Sequence, residues 1–172
     1  MVRRWARAQR ARGKAFQPRF PPHEVVASWL GALQAITALG LISAWSKYAL
    51  VVAPFGASSV LLFGHPRSPL AQPRNIVLGN TVGAVVSVIC VATLGTAPWV
   101  MVLAVGLTIA LGQTLRCLHP PAGAVALLGV LLHARPAFVA MPVLVGSLLL
   151  TLMAAVFSRL QADAEPYPHH WL

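Results

Sequence analysis

Ala53-Pro-Phe-Gly-Ala-Ser-Ser-Val-Leu-Leu-Phe63 and Pro121-Ala-Gly-Ala-Val-Ala-Leu127 are two apolar segments that open on the same Pro-x-Gly-Ala pattern, 67 residues apart. The same offset pairs Leu61 with Leu128 and Gly79 with Gly146. Longer apolar stretches flank both. Crossing a hydrocarbon core about 30 Å thick takes about 20 apolar residues as a helix. Four segments meet that length, roughly 25–46, 75–95, 98–115 and 138–158, with Gly95-Thr-Ala-Pro98 as the turn between the second and third. Two shorter ones, 48–64 and 117–133, are broken by Pro and Gly. The expected fold is therefore an all-α membrane protein: four long transmembrane helices plus two short, discontinuous or re-entrant helices, arranged as two three-segment repeats.

Composition agrees. The 172 residues are 58% hydrophobic and only 9% charged, where a soluble domain carries about 25% charged residues. A small globule has too much surface to cover with so few charges, and a disordered chain needs the opposite balance. The formal charge of +10 resembles that of a nucleic-acid binder, but its placement does not. Seven of the 13 basic residues precede residue 20: Arg3, Arg4, Arg7, Arg10, Arg12, Lys14 and Arg19. The three acids are Glu24, Asp163 and Glu165, so no carboxylate lies between residues 25 and 162. Residues 1–22 read as a disordered basic cytoplasmic tail, a topology signal suited to anionic headgroups. No aromatic residues are interleaved there at a base-stacking spacing, so no nucleic-acid partner is expected. Residues 23–160 read as the transmembrane domain, repeat one over about 25–95 and repeat two over about 98–160, with 161–172 a C-terminal tail whose end, His169-His170-Trp171, reads as disordered. Cys90 and Cys117 show no metal or disulfide spacing; neither a metal nor a cofactor is expected.

Lys and Arg placement bears on whether the short segments cross. If they do not, and the tail is inside, Lys47, Arg67, Arg74, Arg116 and Arg135 fall outside, five against eight. If they cross, only Lys47 and Arg135 fall outside, against eleven inside. The second arrangement obeys the positive-inside rule better. Three crossings per repeat make the repeats inverted, an architecture that places a site at the bilayer midplane between broken helices.

The Pro-x-Gly-Ala segments suggest what that site holds. Proline suits the first turn of a helix, and the small residues that follow leave first-turn N–H groups uncovered. Such a terminus attracts anions, and in hydrocarbon its donors need a partner. Cation pathways usually offer carboxylates within the membrane; this chain has none there. The candidate anion-binding residues are Pro54, Gly56, Ala57, Ser58 and Ser59 in the first segment, and Arg116, His119, Pro120, Pro121, Gly123 and Ala124 around the second. Arg74, Asn75 and Asn80 are secondary candidates. The alternative is that both motifs only kink helices for close packing. In that case Gly56→Ala and Gly123→Ala disturb assembly and change no flux. His65, His133, Trp29, Trp45 and Trp99 read as interfacial.

Leu118-His-Pro-Pro-Ala-Gly-Ala-Val-Ala-Leu127 resembles the signature of the HPP family, named for its His-Pro-Pro motif. Residues 53–63, and Ser68-Pro-Leu-Ala-Gln-Pro-Arg-Asn75, resemble two further blocks of that family, and the likeness covers about 25–160. It implies an integral membrane protein described as having four spanning helices, found in bacteria and chloroplasts. Because a plant chloroplast member is associated with nitrite transport, it also implies transport of a small inorganic anion, with nitrite the leading candidate. Where family members commonly have His after Gly79, this chain has Asn80.

The expected function is thus membrane transport of a small inorganic anion in a bacterial cytoplasmic (inner) membrane, with the N-terminus cytoplasmic. The partners are the lipid bilayer and the anion, and small-residue faces leave room for a homo-oligomer. An enzyme is not expected: the sequence offers no acid/base carboxylate pair, no Ser-His-Asp set and no phosphate loop. A non-transporting structural or partner subunit is the alternative.

Overall fold

The computed structural model describes Trp5, Gln9 and residues 19–46, 52–161 and 166–170. The basic tail over 1–18, those two residues apart, lies outside the described residues, as do Lys47 and the Trp45 side chain. The described residues form helices and contain no strand: α1 (Pro22–Ser46), α2 (Val52–Gly64), a 3₁₀ turn (Pro69–Ala71), α3 (Pro73–Leu94), α4 (Pro98–Thr114), α5 (Pro120–Leu131), a kinked turn (Val139–Leu144) and α6 (Val145–Leu160). Proline stands in the first turn of α3, α4 and α5, where its missing N–H costs nothing. Gly95, with φ 79°, ends α3 and makes the turn expected there.

Three apolar helical stretches are long enough to cross a membrane, Pro22–Leu41, Pro73–Leu94 and Val139–Leu160. The fourth long span expected from the sequence, α4, is only 17 residues and joins α2 and α5 among the shorter apolar helices. Pro98 fixes its start. Its end is fixed by a left-handed Arg116 (φ 54°), after which the Cys117 N–H reaches back to the Gly112 carbonyl at 2.8 Å. α5 closes in the same way, with His133 at φ 55° and the Ala134 N–H on the Gly129 carbonyl at 2.8 Å. Both are Schellman-type ends built on residues other than glycine.

The last long segment is not continuous either. Met141 is extended (φ −131°, ψ 118°) and Pro142 sits within the helical run, because proline removes a backbone donor and bars the residue before it from helical geometry. Met141 lies 67 residues after Arg74, so the break falls where α3 starts in the first half.

Glycine contacts give the helix directions. Gly31 of α1 meets the ring of Phe63 at the end of α2, and the Ser28 hydroxyl donates to the Phe63 carbonyl at 2.7 Å. α2 therefore returns antiparallel to α1. Gly146, at the start of α6, lies on the ring of Phe55 at the start of α2, and Phe157, later in α6, packs edge-on to Phe63 with ring centres 5.8 Å apart. Those two helices are parallel. Along α3, Gly79, Gly83 and Ser87 meet His119, Ala122 and Gly129 in turn, so α3 and α5 are also parallel. α3 and α6 are joined by the Asn80 amide, which donates to the Ser147 hydroxyl at 3.1 Å; the two positions are again 67 residues apart.

Phe55, Leu62, Phe63, Ile76, Val125, Val143 and Leu150 form the main buried cluster. Large apolar side chains also cover the outside, among them Leu41, Val60, Val102, Leu152, Leu160 and the two indoles Trp29 and Trp99. That is the surface of a bundle in lipid rather than in water.

The closest helix approaches fall on other glycines than those of the Pro-x-Gly-Ala motifs. A Cβ on Gly56 would meet nothing within 4 Å, and one on Gly123 only the Val105 methyl at 3.7 Å. A Cβ on Gly79 would lie 2.7 Å from the Cys117 carbonyl oxygen and 2.8 Å from His119 Cβ, and one on Gly146 would enter the buried Phe55 ring. Overpacking of this kind costs about 1–3 kcal/mol. Gly79→Ala and Gly146→Ala should therefore lower the unfolding temperature of the detergent-solubilised protein. Gly56→Ala and Gly123→Ala should leave it unchanged or slightly raised, since alanine is the better helix former by about 1 kcal/mol; thermal unfolding read by size-exclusion chromatography checks all four.

Candidate functional site

His119 precedes α5 as its N-cap, in extended geometry (φ −137°), and is almost wholly buried. Both ring nitrogens are engaged. Nδ1 lies 2.9 Å from the Leu70 carbonyl oxygen, and Nε2 lies 2.8 Å from the Ser58 hydroxyl of α2. A carbonyl can only accept, so Nδ1 carries the hydrogen. In the neutral ring Nε2 is then an acceptor, and the Ser58 hydroxyl donates to it.

The segments around this ring are themselves pinned. Ser68 accepts the Leu70 N–H at 3.2 Å and caps the 3₁₀ turn that presents the Leu70 carbonyl. At the start of α3, Arg74 Nη2 donates to the Leu115 carbonyl at 3.0 Å and Asn75 Nδ2 to the Leu118 carbonyl at 2.7 Å. Two side chains of α3 thereby hold the strand of backbone that leads into His119. Three buried polar atoms have no hydrogen-bond partner among the described residues: Ser59 Oγ, Arg74 Nε and Asn80 Oδ1.

The expected site residues are thus only partly brought together. Ser58 and His119 touch; Arg74 and Asn75 grip the backbone just ahead of His119. Pro54, Ser59 and Pro121 are buried and Gly56 and Gly123 half-buried, while Ala57, Pro120 and Ala124 lie on the exposed faces of their helices. Arg116 is exposed and serves as the left-handed residue that ends α4. The terminus of α5 differs from the sequence expectation in its donors. Pro120 and Pro121 have no N–H, and the next one, of Ala122, is already bonded to the His119 carbonyl at 2.9 Å. What this terminus offers is its dipole and the His119 side chain.

Sequence reasoning missed the Leu70 carbonyl, Ser147, Gln72 and Tyr167. Ser147 was signalled by its 67-residue offset from Asn80, and Gln72 lies inside the Ser68–Asn75 block. The C-terminal tail docks over 166–170, including His169 and His170, which were expected to be disordered. Buried Gln72 donates through Nε2 to the Pro66 and Ser68 carbonyls at 2.9 and 3.0 Å, and its Oε1 accepts from the His169 and His170 N–H groups at 3.0 and 3.5 Å. The Tyr167 hydroxyl donates to the Ala71 carbonyl at 2.9 Å. These bonds satisfy backbone groups in the turn that carries Leu70, which is why a polar tail with few apolar residues is held.

The fold and the buried polar set define a polytopic α-helical membrane protein. The profile of the HPP transmembrane region matches residues 17–168, and the chain belongs to the HPP family. It is 37% identical over 172 aligned residues to a transmembrane protein of Dictyostelium discoideum, covering 92% of this chain and 60% of that one. A second transmembrane protein of the same organism is 35% identical over 160 residues, covering 86% and 51%. The chain thus spans about half to three fifths of the length of these relatives. No solved structure matches it.

Burial raises the Tyr167 phenol above its ordinary value, which is about 10. A folded-state value above the unfolded one means that the docked tail keeps its full contribution below about pH 10 and loses it as the pH climbs towards the folded value. In a Tyr48→Phe background, phenolate absorbance of Tyr167 should therefore appear only at pH values above the usual range. Gln72→Ala, which removes the tail's acceptor, should bring the titration back towards it.

Proposed function

We propose that the chain transports a small inorganic anion across the membrane, with nitrite the leading candidate. The observation that carries this reading is a polar set with hydroxyl, amide and cationic donors and no carboxylate: buried Ser58, Ser59, Asn75, Asn80 and His119 with half-buried Arg74 beside them, within a segment free of Asp and Glu from residue 25 to 162. The Nε atom of the half-buried Arg74 guanidinium is itself buried and without a partner among the described residues, and such a donor calls for an acceptor, most favourably an anionic one. An acid-free set of this kind disfavours cations.

The helix directions support six crossings in two inverted repeats. With α2 antiparallel to α1 and α5 parallel to α3, one end of the bundle gathers Arg19, Arg67, Arg74, Arg116 and Arg159, while Arg135 lies at the other. On the positive-inside rule, that richer end and the N-terminus face the cytoplasm, in a bacterial cytoplasmic membrane; the lipid-facing helices accommodate a homo-oligomer. The structural-subunit alternative places tight packing at the Pro-x-Gly-Ala glycines, and Gly56 and Gly123 make no such contact.

Purified protein in liposomes should show saturable nitrite uptake. Arg74→Gln should cut it by about tenfold, the scale of one lost hydrogen bond to a charged group. Arg116→Gly, which suits the left-handed backbone there, should preserve both fold and uptake. Absence of uptake above empty vesicles for nitrite, nitrate, formate and chloride alike rules the reading out.

A further inference from the structure

The two hydrogen bonds of His119 fix what Ser58 can offer a ligand. Leu70 supplies only an acceptor, so the hydrogen on Nδ1 cannot move to Nε2 without losing that bond. While the ring is neutral, Nε2 holds a lone pair and the single Ser58 hydrogen points at it. Ser58, itself wholly buried, then has only lone pairs left to offer a ligand, and these repel an anion. When Nε2 takes up a proton the polarity reverses: Nε2–H donates to Ser58 Oγ, and the hydroxyl hydrogen is free to donate elsewhere.

Protonation alone is disfavoured, because a buried imidazolium needs a counter-charge. Both of its contacts are to uncharged oxygens. Among the described residues, the titratable and charged groups on the surrounding elements are His65 and Arg67 in the α2–α3 connection, Arg74 at the start and Cys90 near the end of α3, Arg116 and Cys117 ahead of α5, Arg159 in the last turn of α6, and Tyr167, His169 and His170 in the docked tail. α2, α4 and α5 contain none, and α1 has His23 and Glu24 only at its exposed start.

We propose that His119 and Ser58 form a proton-coupled anion switch, in which one proton on His119 Nε2 and one monovalent anion on the Ser58 hydroxyl bind together and cross together. The proton comes from the aqueous side that supplies the anion, resides on Nε2 during occupancy and leaves with the anion, so no net charge moves. Each ligand supplies what the other lacks: the anion is the missing counter-charge, and the proton frees the donor. Such coupling is reciprocal by necessity. The substrate class is accordingly the anion of a monobasic acid, carried as the equivalent of that acid.

This rests on the anion-transport reading, and the experiment separates the two. The full chain is reconstituted in liposomes containing a pH-sensitive dye and given nitrite, nitrate, formate or chloride in turn, with protein-free vesicles subtracted because nitrous and formic acids cross lipid unaided. Anion uptake should acidify the lumen by one proton per anion and should not respond to a clamped membrane potential. The apparent KM should rise by about tenfold per pH unit on the alkaline side, as one coupled proton requires. Ser58→Ala should keep that slope with a KM raised by about tenfold, and His119→Gln should flatten it. If His119→Gln is inactive, the proton-to-anion ratio of the unaltered protein and the Ser58→Ala slope decide. Uptake without acidification, or a His119→Gln variant with the original pH profile, overturns the switch while leaving transport standing. Absence of uptake for nitrite, nitrate, formate and chloride alike overturns both.

Discussion

The imidazole of His119 ties together three parts of the chain that are distant in sequence: the middle of α2 through Ser58, the α2–α3 connection through Leu70, and its own helix α5. In an apolar bundle each of these polar groups would cost about 1–3 kcal/mol if buried without a partner, so their mutual satisfaction sets where α5 can begin. Much else follows from it. Gly79 must lack a side chain because the His119 Cβ and the Cys117 carbonyl lie against it. Asn75 and Arg74 must reach across from α3 because the backbone entering His119 has carbonyls at Leu115 and Leu118 that no helix satisfies.

Packing elsewhere obeys a rule suited to lipid. The outer surface is as apolar as the interior, so burial of apolar area cannot by itself select one arrangement of helices. Close backbone approach and buried polar bonds do that instead. Gly31, Gly83, Gly129 and Gly146 each sit against a ring, a carbonyl or a hydroxyl with no room for a methyl group, and Asn80 and Ser147 join α3 to α6 where both are wholly buried.

Much of the architecture was legible in the sequence because hydrophobicity, proline and glycine leave strong local marks. The apolar segments, the turn at Gly95 and the proline starts of α3, α4 and α5 all follow from such marks. The break at Met141–Pro142 was hidden inside an otherwise continuous apolar run, and the early end of α4 depends on Arg116 adopting a left-handed backbone that arginine does not advertise. Ser58 and His119 were each identifiable as candidates, but their pairing depends on helix directions that no local pattern states. The Leu70 carbonyl was beyond reach, since every residue has one and only the fold selects which is used. The Pro-x-Gly-Ala glycines drew notice as a motif, whereas the glycines that bring helices together carry no motif and are recognised only by what faces them.

The docking of residues 166–170 has a consequence for how the centre can come undone. Gln72 reaches its full set of partners only when His169 and His170 have arrived, and Ala71 only when Tyr167 has. The turn that presents Leu70 to His119 is therefore braced from a part of the sequence about a hundred residues away. Peeling residues 166–170 off the bundle would strip partners from the Gln72 amide and the Ala71 carbonyl together, and the seat of the buried histidine would loosen without any helix having moved.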